Sequence, residues 1–311
     1  MAIPLTTGAG GSASRPGLIE RIVDDERWLG RLLLAPAVTY IFVLVGVPFV
    51  LAVFYSFTNV TISSAESSFV GLATIIRSVE DPGFARALRN TFLFAIVSQG
   101  LVMVFANVLA VALQRDFRGK RLVRLLILLP WVAPVSLGSI GWLWIFDSIY
   151  SVINWTLRWI GYAGWPIWLG EPHLAMSAII TVHVWRTMPL ATVILLGGLS
   201  SIPQDIHDAA EIDGAGFFRH LFQITLPLIR PIQLVALLFG LVFAFTDMII
   251  VYVLTRGGPY DTTQVLASLA FFKGIDGGDL ASGAATALFL LPVLAAAAIL
   301  MLRLARRTEV T

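Results

Sequence analysis

The 311-residue chain has no cysteine. That excludes disulfides, thiolate nucleophiles and cysteine-held metals. Charge is also scarce. Asp, Glu, Lys and Arg together make up 13% of the residues, where a soluble domain carries about a quarter. The net charge of +2 offers no electrostatic footprint for nucleic acid. The four histidines are scattered without metal-ligand spacing, so no metal is expected. There is no Walker A loop. The nearest word, Gly119-Lys120, is followed by Arg121 and has Gln114 where the first glycine belongs. G-x-S-x-G and H-E-x-x-H words are missing too, and the acids fall in loops without a persuasive acid/base pair. These absences argue against an enzyme and against a nucleotide or other cofactor held by this chain.

What is abundant is apolar sequence, at 58% with a mean hydropathy of +0.86. About 20 apolar residues span a bilayer. Six stretches qualify, roughly Leu32–Phe57, Phe92–Leu113, Leu122–Phe146, Leu174–Gly197, Ile232–Leu254 and Ala284–Leu304. Their prolines, Pro48, Pro130, Pro134, Pro189 and Pro292, are tolerated where neighbouring helices satisfy the freed carbonyls. The expected fold class is therefore an all-α membrane protein. Residues 1–31 read as an N-terminal tail, 32–304 as the membrane domain and 305–311 as a C-terminal tail. The Gly/Ser-rich start lacks a signal peptide's early apolar core.

Orientation follows the Lys/Arg bias. Arg15, Arg21, Arg27 and Arg31, the cluster Arg115 to Arg124, Arg219 and Arg230, and Arg303, Arg306 and Arg307 flank one side. The opposite flanks hold fewer. Both termini and the 200–231 loop are thus placed in the cytoplasm, and loops 58–91, 147–173 and 255–283 outside. Trp142, Trp144, Trp155, Trp159, Trp165 and Trp168 cluster near the second outer loop. They read either as an interfacial belt or as surfaces for stacking on sugar rings.

The 200–231 loop is the main polar break in the apolar second half. Spacing predicts two short helices. Ser201 and Gln204 have capping-box spacing, Pro203 suits a first turn, and Ile206, Ala209 and Ala210 share a face. Gly214 and Gly216 turn the chain. Phe217, Phe218 and Phe222 are expected to anchor the hairpin to the spans. Few ionisable groups lie well inside the spans: His183 and Arg186 on the fourth, Asp247 on the fifth. Such groups normally face a cavity or a partner. His183, Arg186, Thr187 and Leu190 share one face, and Gly240, Phe243, Ala244 and Asp247 lie mostly along another. An Arg186–Asp247 ion pair is expected, either as a register pin or beside a direct substrate role.

Three words in register, Asp208-Ala209-Ala210, Asp213-Gly214-Ala215 and Ile224-Thr225-Leu226-Pro227, resemble the EAA signature of ABC importer transmembrane subunits. Asp208 stands where that family usually has Glu. Trp185-Arg186-x-x-Pro189, Thr255-Arg256-Gly257-Gly258-Pro259 with Thr262-Thr263, Asn90-Thr91 and Arg118-Gly119-Lys120 resemble the carbohydrate type, the maltose, trehalose and glycerol-phosphate group. The resemblance implies the type I ABC importer permease fold in a bacterial or archaeal cytoplasmic membrane. It implies a second permease subunit, an ATPase dimer carrying ATP and Mg, and an extracytoplasmic sugar-binding protein or lipoprotein. It makes Asp205, Asp208, Ala209, Ala210, Glu211, Asp213, Gly214 and Ala215 the ATPase-coupling segment. It lines a sugar cavity with His183, Arg186, Thr187, Leu190, Gly240, Phe243, Ala244 and Asp247. Two rivals remain: an ion-coupled secondary transporter, for which the sequence shows no inverted repeat or broken-helix pair, and a membrane-embedded enzyme, for which only His183 with Asp247 comes close.

Overall fold

A computed structural model describes residues 26–64 and 67–308. Most of the N-terminal tail, the end of the C-terminal tail, and Arg15 and Arg21 lie outside the described residues. The described chain is helical, with one isolated β-bridge, Thr58 to Phe69. By internal packing it divides into two units, Met1–Leu51 and Ala52–Thr311.

Four helices are long and apolar enough to cross a membrane: α1 (Arg27–Ser56), α3 (Pro82–Gln114), α7 (Pro172–Ser200) and α13 (Leu280–Leu304). Two bent pairs bring the number to six if each pair is one span: α4 (Lys120–Val132) with α5 (Val135–Ile145), bent by 95°, and α9 (Phe217–Leu228) with α10 (Arg230–Thr246), bent by 70°. Shorter helices complete the chain: α2 (Ala73–Glu80), α6 (Val152–Trp159), α8 (Gln204–Ile212), α11 (Ile249–Leu254) and α12 (Leu266–Phe271).

The breaks have local causes. Ala133 is extended (ψ 141°) because Pro134 disfavours a helical residue before it. The expected fifth span stops at Asp247 (ψ 100°) and restarts as α11. The broken-helix geometry that the sequence did not reveal is therefore present. Five-residue π turns, Phe42–Gly46 and Leu221–Thr225, lie just ahead of Pro48 and Pro227. A π turn shifts the hydrogen-bond register where a proline has no N–H to give.

In lipid, helices gain little from hydrophobicity and associate through close packing of small residues. The α3–α7 pair follows that rule and is the most extensive in the chain. Ala87, Ala95, Ala106 and Ala110 on α3 and Ala178 and Ala191 on α7 are buried, with Phe94, Ile179 and Leu195 fully enclosed. Helix α10 packs on α3, α7 and the last span.

Candidate functional site

The helix break at Asp247 frees its carboxylate from a regular turn and aims it at α7. His183 Nδ1 meets Asp247 Oδ2 at 2.8 Å. His183 is fully buried and Asp247 is 7% exposed. The other carboxylate oxygen accepts from the Ile250 N–H at 3.3 Å, which caps α11. The His183 ring packs edge-on against Phe94, and its Nε2 has no partner among the described residues. The expected Arg186–Asp247 ion pair is not made. Spacing put all three groups well inside the spans, but the partner of Asp247 is decided by which face of α7 turns toward the break.

Arg186 belongs to a second cluster. Its guanidinium lies 5.4 Å from the Trp131 ring centre, and Trp131 stands edge-on to Phe243 at 5.1 Å. Its Nε is buried without a hydrogen-bond partner. Stacking on an indole contributes about 0.5–2 kcal/mol. Arg186, Leu190, Gly240 and Phe243 are half-buried, whereas His183, Thr187, Ala244 and Asp247 are buried. The Thr187 hydroxyl donates to the His183 carbonyl at 2.7 Å.

Sequence reasoning missed Gln99. It is buried on α3, and neither amide atom has a partner among the described residues. Leaving such a group unpaired costs about 1–3 kcal/mol. The amide lies against Gly240, where a Cβ would come within 1.9 Å of Oε1. Two turns nearer the start of α10, Gln233 Nε2 donates to Asn107 Oδ1 at 3.1 Å. Gln233, Gly240 and Asp247 are seven apart and so share a face. A lone glutamine amid an apolar run was the available signal.

The segment expected to couple to an ATPase is α8 and the turn after it. Asp205, Asp208, Ala209, Glu211, Asp213 and Gly214 are exposed, Ala215 is half-buried and Ala210 is buried. Helix α8 closes with a Schellman turn. Gly214 sits at φ +70°, its N–H reaches the Glu211 carbonyl at 3.0 Å, and the Ala215 N–H reaches the Ala210 carbonyl at 2.9 Å. An L-residue there costs about 1–2 kcal/mol, which explains the Asp-Gly-Ala word. The Ser201–Gln204 capping box is not formed. The Ser201 hydroxyl turns back to the Gly198 carbonyl at 2.8 Å, and Gln204 Nε2 donates to Asp208 Oδ1 at 2.9 Å.

The expected aromatic anchor also fails within this chain. Phe217, Phe218 and Phe222 are 53%, 72% and 61% exposed. The hairpin is instead pinned by two histidines that looked scattered. His207 Nδ1 and His220 Nε2 are 3.0 Å apart with stacked rings, and His220 Nδ1 meets the Thr225 hydroxyl at 3.2 Å.

At the other end of the spans, two words singled out in the sequence meet. Asn90 Nδ2 donates to the carbonyls of Thr262 and Gln264 at 2.9 and 3.0 Å, and the Thr91 hydroxyl accepts from the Leu266 N–H at 2.8 Å. In the Thr255–Pro259 turn, Gly257 has φ +87°, a conformation that L side chains rarely adopt, and packs against the Gln264 amide. Lys273 Nζ pairs with Asp81 Oδ2 at 2.6 Å and holds that carboxyl below its ordinary value. Among the tryptophans, Trp142 and Trp168 pack inward while Trp144, Trp155, Trp159 and Trp165 stay exposed.

Residues 103–310 match the family model described as the binding-protein-dependent transport system inner membrane component. The chain belongs to this family. It is a transport permease, the membrane part of a binding-protein-dependent system. It is 34% identical over 255 residues to the trehalose/maltose transport system permease protein MalF of Thermococcus litoralis, covering 82% of this chain and 86% of that one. It is 31% identical to the sulfoquinovosyl glycerol permease SmoG of Agrobacterium fabrum, with coverage of 91% and 92%. It is 30% identical to the sn-glycerol-3-phosphate permease UgpA of Yersinia pestis, with coverage of 95% and 98%. A chain of a bacterial alginate ABC transporter, crystallised with a pentasaccharide-bound periplasmic protein, has the same fold, with a TM-score of 0.80 at 20% identity over 93% and 97% of the two chains.

Proposed function

We propose that this permease is one of two six-span transmembrane subunits of an ATP-driven importer for a neutral di- or oligosaccharide of the trehalose or maltose kind. Both termini lie in the cytoplasm. An extracytoplasmic binding protein or lipoprotein delivers the sugar to the outer loops. Polar groups near Arg186, Gly240 and Phe243 meet it at mid-membrane with low affinity. ATP and Mg are held by a separate ATPase dimer, which grips α8. Its closure draws the coupling segments together and turns the pathway outward, and hydrolysis resets it. The observation that carries this reading is the exposed acidic helix α8, ended by the Gly214 turn, in a loop that the Lys/Arg bias sets on the cytoplasmic side.

The test is uptake of radiolabelled trehalose and maltose into proteoliposomes holding this chain, its permease partner, the ATPase and the binding protein. Uptake should need all four and ATP. Transport by this chain alone, or labelling of Asp208–Gly214 from the outer face, would overturn the proposal.

A second reading keeps the machine and changes the cargo. Arg186 is a half-buried guanidinium whose Nε has no hydrogen-bond partner among the described residues, and the Asp247 carboxyl is already engaged by His183. That arrangement suits a phosphate ester of the glycerol-phosphate type. Competition by glycerol phosphate but not by trehalose, lost in Arg186→Gln, would favour it.

A further inference from the structure

An open groove of about 1400 Å³ runs along the inner half of α3. One wall is the stripe Met103, Asn107, Val111 and Arg115. The others come from α10, and from α9 with its exposed Phe217 and Phe222. From Met103 to Arg115 is twelve residues, about 18 Å along the helix. That is close to one leaflet of a hydrocarbon core about 30 Å thick.

The chemistry of the groove changes along its length. Its deep part is apolar. The two amides on its floor, Asn107 and Gln233, are bonded to each other, and Asn107 also donates to the Met103 carbonyl, so they ask for no polar ligand. Its mouth carries two exposed guanidinium groups. Arg115 lies 6.0 Å from the Phe217 ring centre, and Arg230 opens α10. Neither has an ion-pair partner among the described residues. The one acid in the lining, Asp116, is turned to Lys120 at 2.9 Å, so it does not neutralise the arginines. A greasy slot one leaflet deep with unpaired cations at the aqueous end matches an amphiphile with an anionic head.

We propose that this groove is a binding site for an anionic membrane glycerophospholipid of the inner leaflet, with an acyl chain along Val108 and Val111 and the phosphate between Arg115 and Arg230. The lipid supplies what the hairpin lacks. Phe217 and Phe222 find no anchor among the described residues, and an acyl chain in the groove gives them one. The lipid then becomes part of the linkage that carries movement of α8 to α10.

Native mass spectrometry of the full chain, titrated with phosphatidylglycerol and phosphatidylcholine of identical acyl chains, tests this. Phosphatidylglycerol should be retained preferentially, and the preference should fall about fivefold for each of Arg115→Gln and Arg230→Gln, the usual weight of one basic residue at an anionic surface. Val108→Trp, which fills the slot, should abolish retention of both lipids. Millimolar inorganic phosphate or glycerol phosphate should not displace the lipid; displacement would assign the mouth to a free phosphate and overturn the proposal. Equal retention of the two lipids, or a preference that survives both arginine substitutions, overturns it as well. The lack of cysteine allows one further arm. If Val108→Cys crosslinks to the second permease in the assembled importer and the lipid is lost on assembly, the groove is a subunit contact instead.

Discussion

His183 and Asp247 form a buried 2.8 Å pair that spans α7 and the break after α10. It ties two spans together at the point where one of them is not helical. Removing one partner from such a buried hydrogen bond typically costs about 1–3 kcal/mol, since it strands the other. His183→Leu and Asp247→Leu should each lower the melting temperature of the detergent-purified chain markedly, and the double substitution should be less harmful than the sum. Additive losses in this cycle would mean that the two side chains do not act as a pair.

Gly240→Ala should destabilise by about 1 kcal/mol at most, because the new methyl meets only the unbonded amide end of Gln99, which can turn aside. Gln99→Ala in the same chain should restore stability. Gln99→Leu alone should be neutral or stabilising, since it removes an unpaired buried amide. Thermal unfolding followed by circular dichroism reads all three.

The hairpin prediction concerns function more than stability. Gly214→Pro removes the N–H that closes the turn onto Glu211, and Asp208→Lys reverses an exposed charge on α8. In the reconstituted importer both should separate ATP hydrolysis from sugar uptake, with the chain still inserted and folded. Wild-type uptake with either substitution would count against α8 as the grip.

Acid should loosen the contact between Asp81 and the 272–283 segment. The hydrogen bond and charge of Lys273 hold the Asp81 carboxyl below 3.8, with burial opposing and the Gly83 N–H assisting. A depressed carboxyl contributes stability that is complete above its unfolded value and lost as pH falls through the folded one. The side chain is 37% exposed, so the contribution is about 1 kcal/mol or less. Protection factors for hydrogen exchange in residues 272–283, corrected for the intrinsic pH dependence of exchange, should fall below about pH 4 in the native chain. Lys273→Met should show the lower protection already at neutral pH.

Much of the architecture was legible because bilayer crossing has a length and a composition. The helices α1, α3, α7 and α13 follow the expected spans to within a few residues, except that α3 starts at Pro82, well ahead of Phe92. A hydropathy run says nothing about direction, so the 95° turn at Ala133–Pro134 stayed hidden although Pro134 was visible. The coupling turn was readable from Gly214, whose positive φ few other residues adopt. The pairings were not. His207 with His220, His183 with Asp247, and Gln99 against Gly240 depend on how helices rotate about their own axes. Periodicity gives a face, but not the neighbour that face will meet.

The seven-residue recurrence along α10 has a kinematic consequence. At its three stations an amide is matched by an amide, a bare backbone by a bulky amide, and an acid by an imidazole. Displacing the rod axially by one turn would mismatch every station together, whereas tilting or twisting it leaves the teeth engaged. A one-turn slide of α10 past α3 and α7 is therefore opposed by all three contacts at once, while a tilt that keeps them is not.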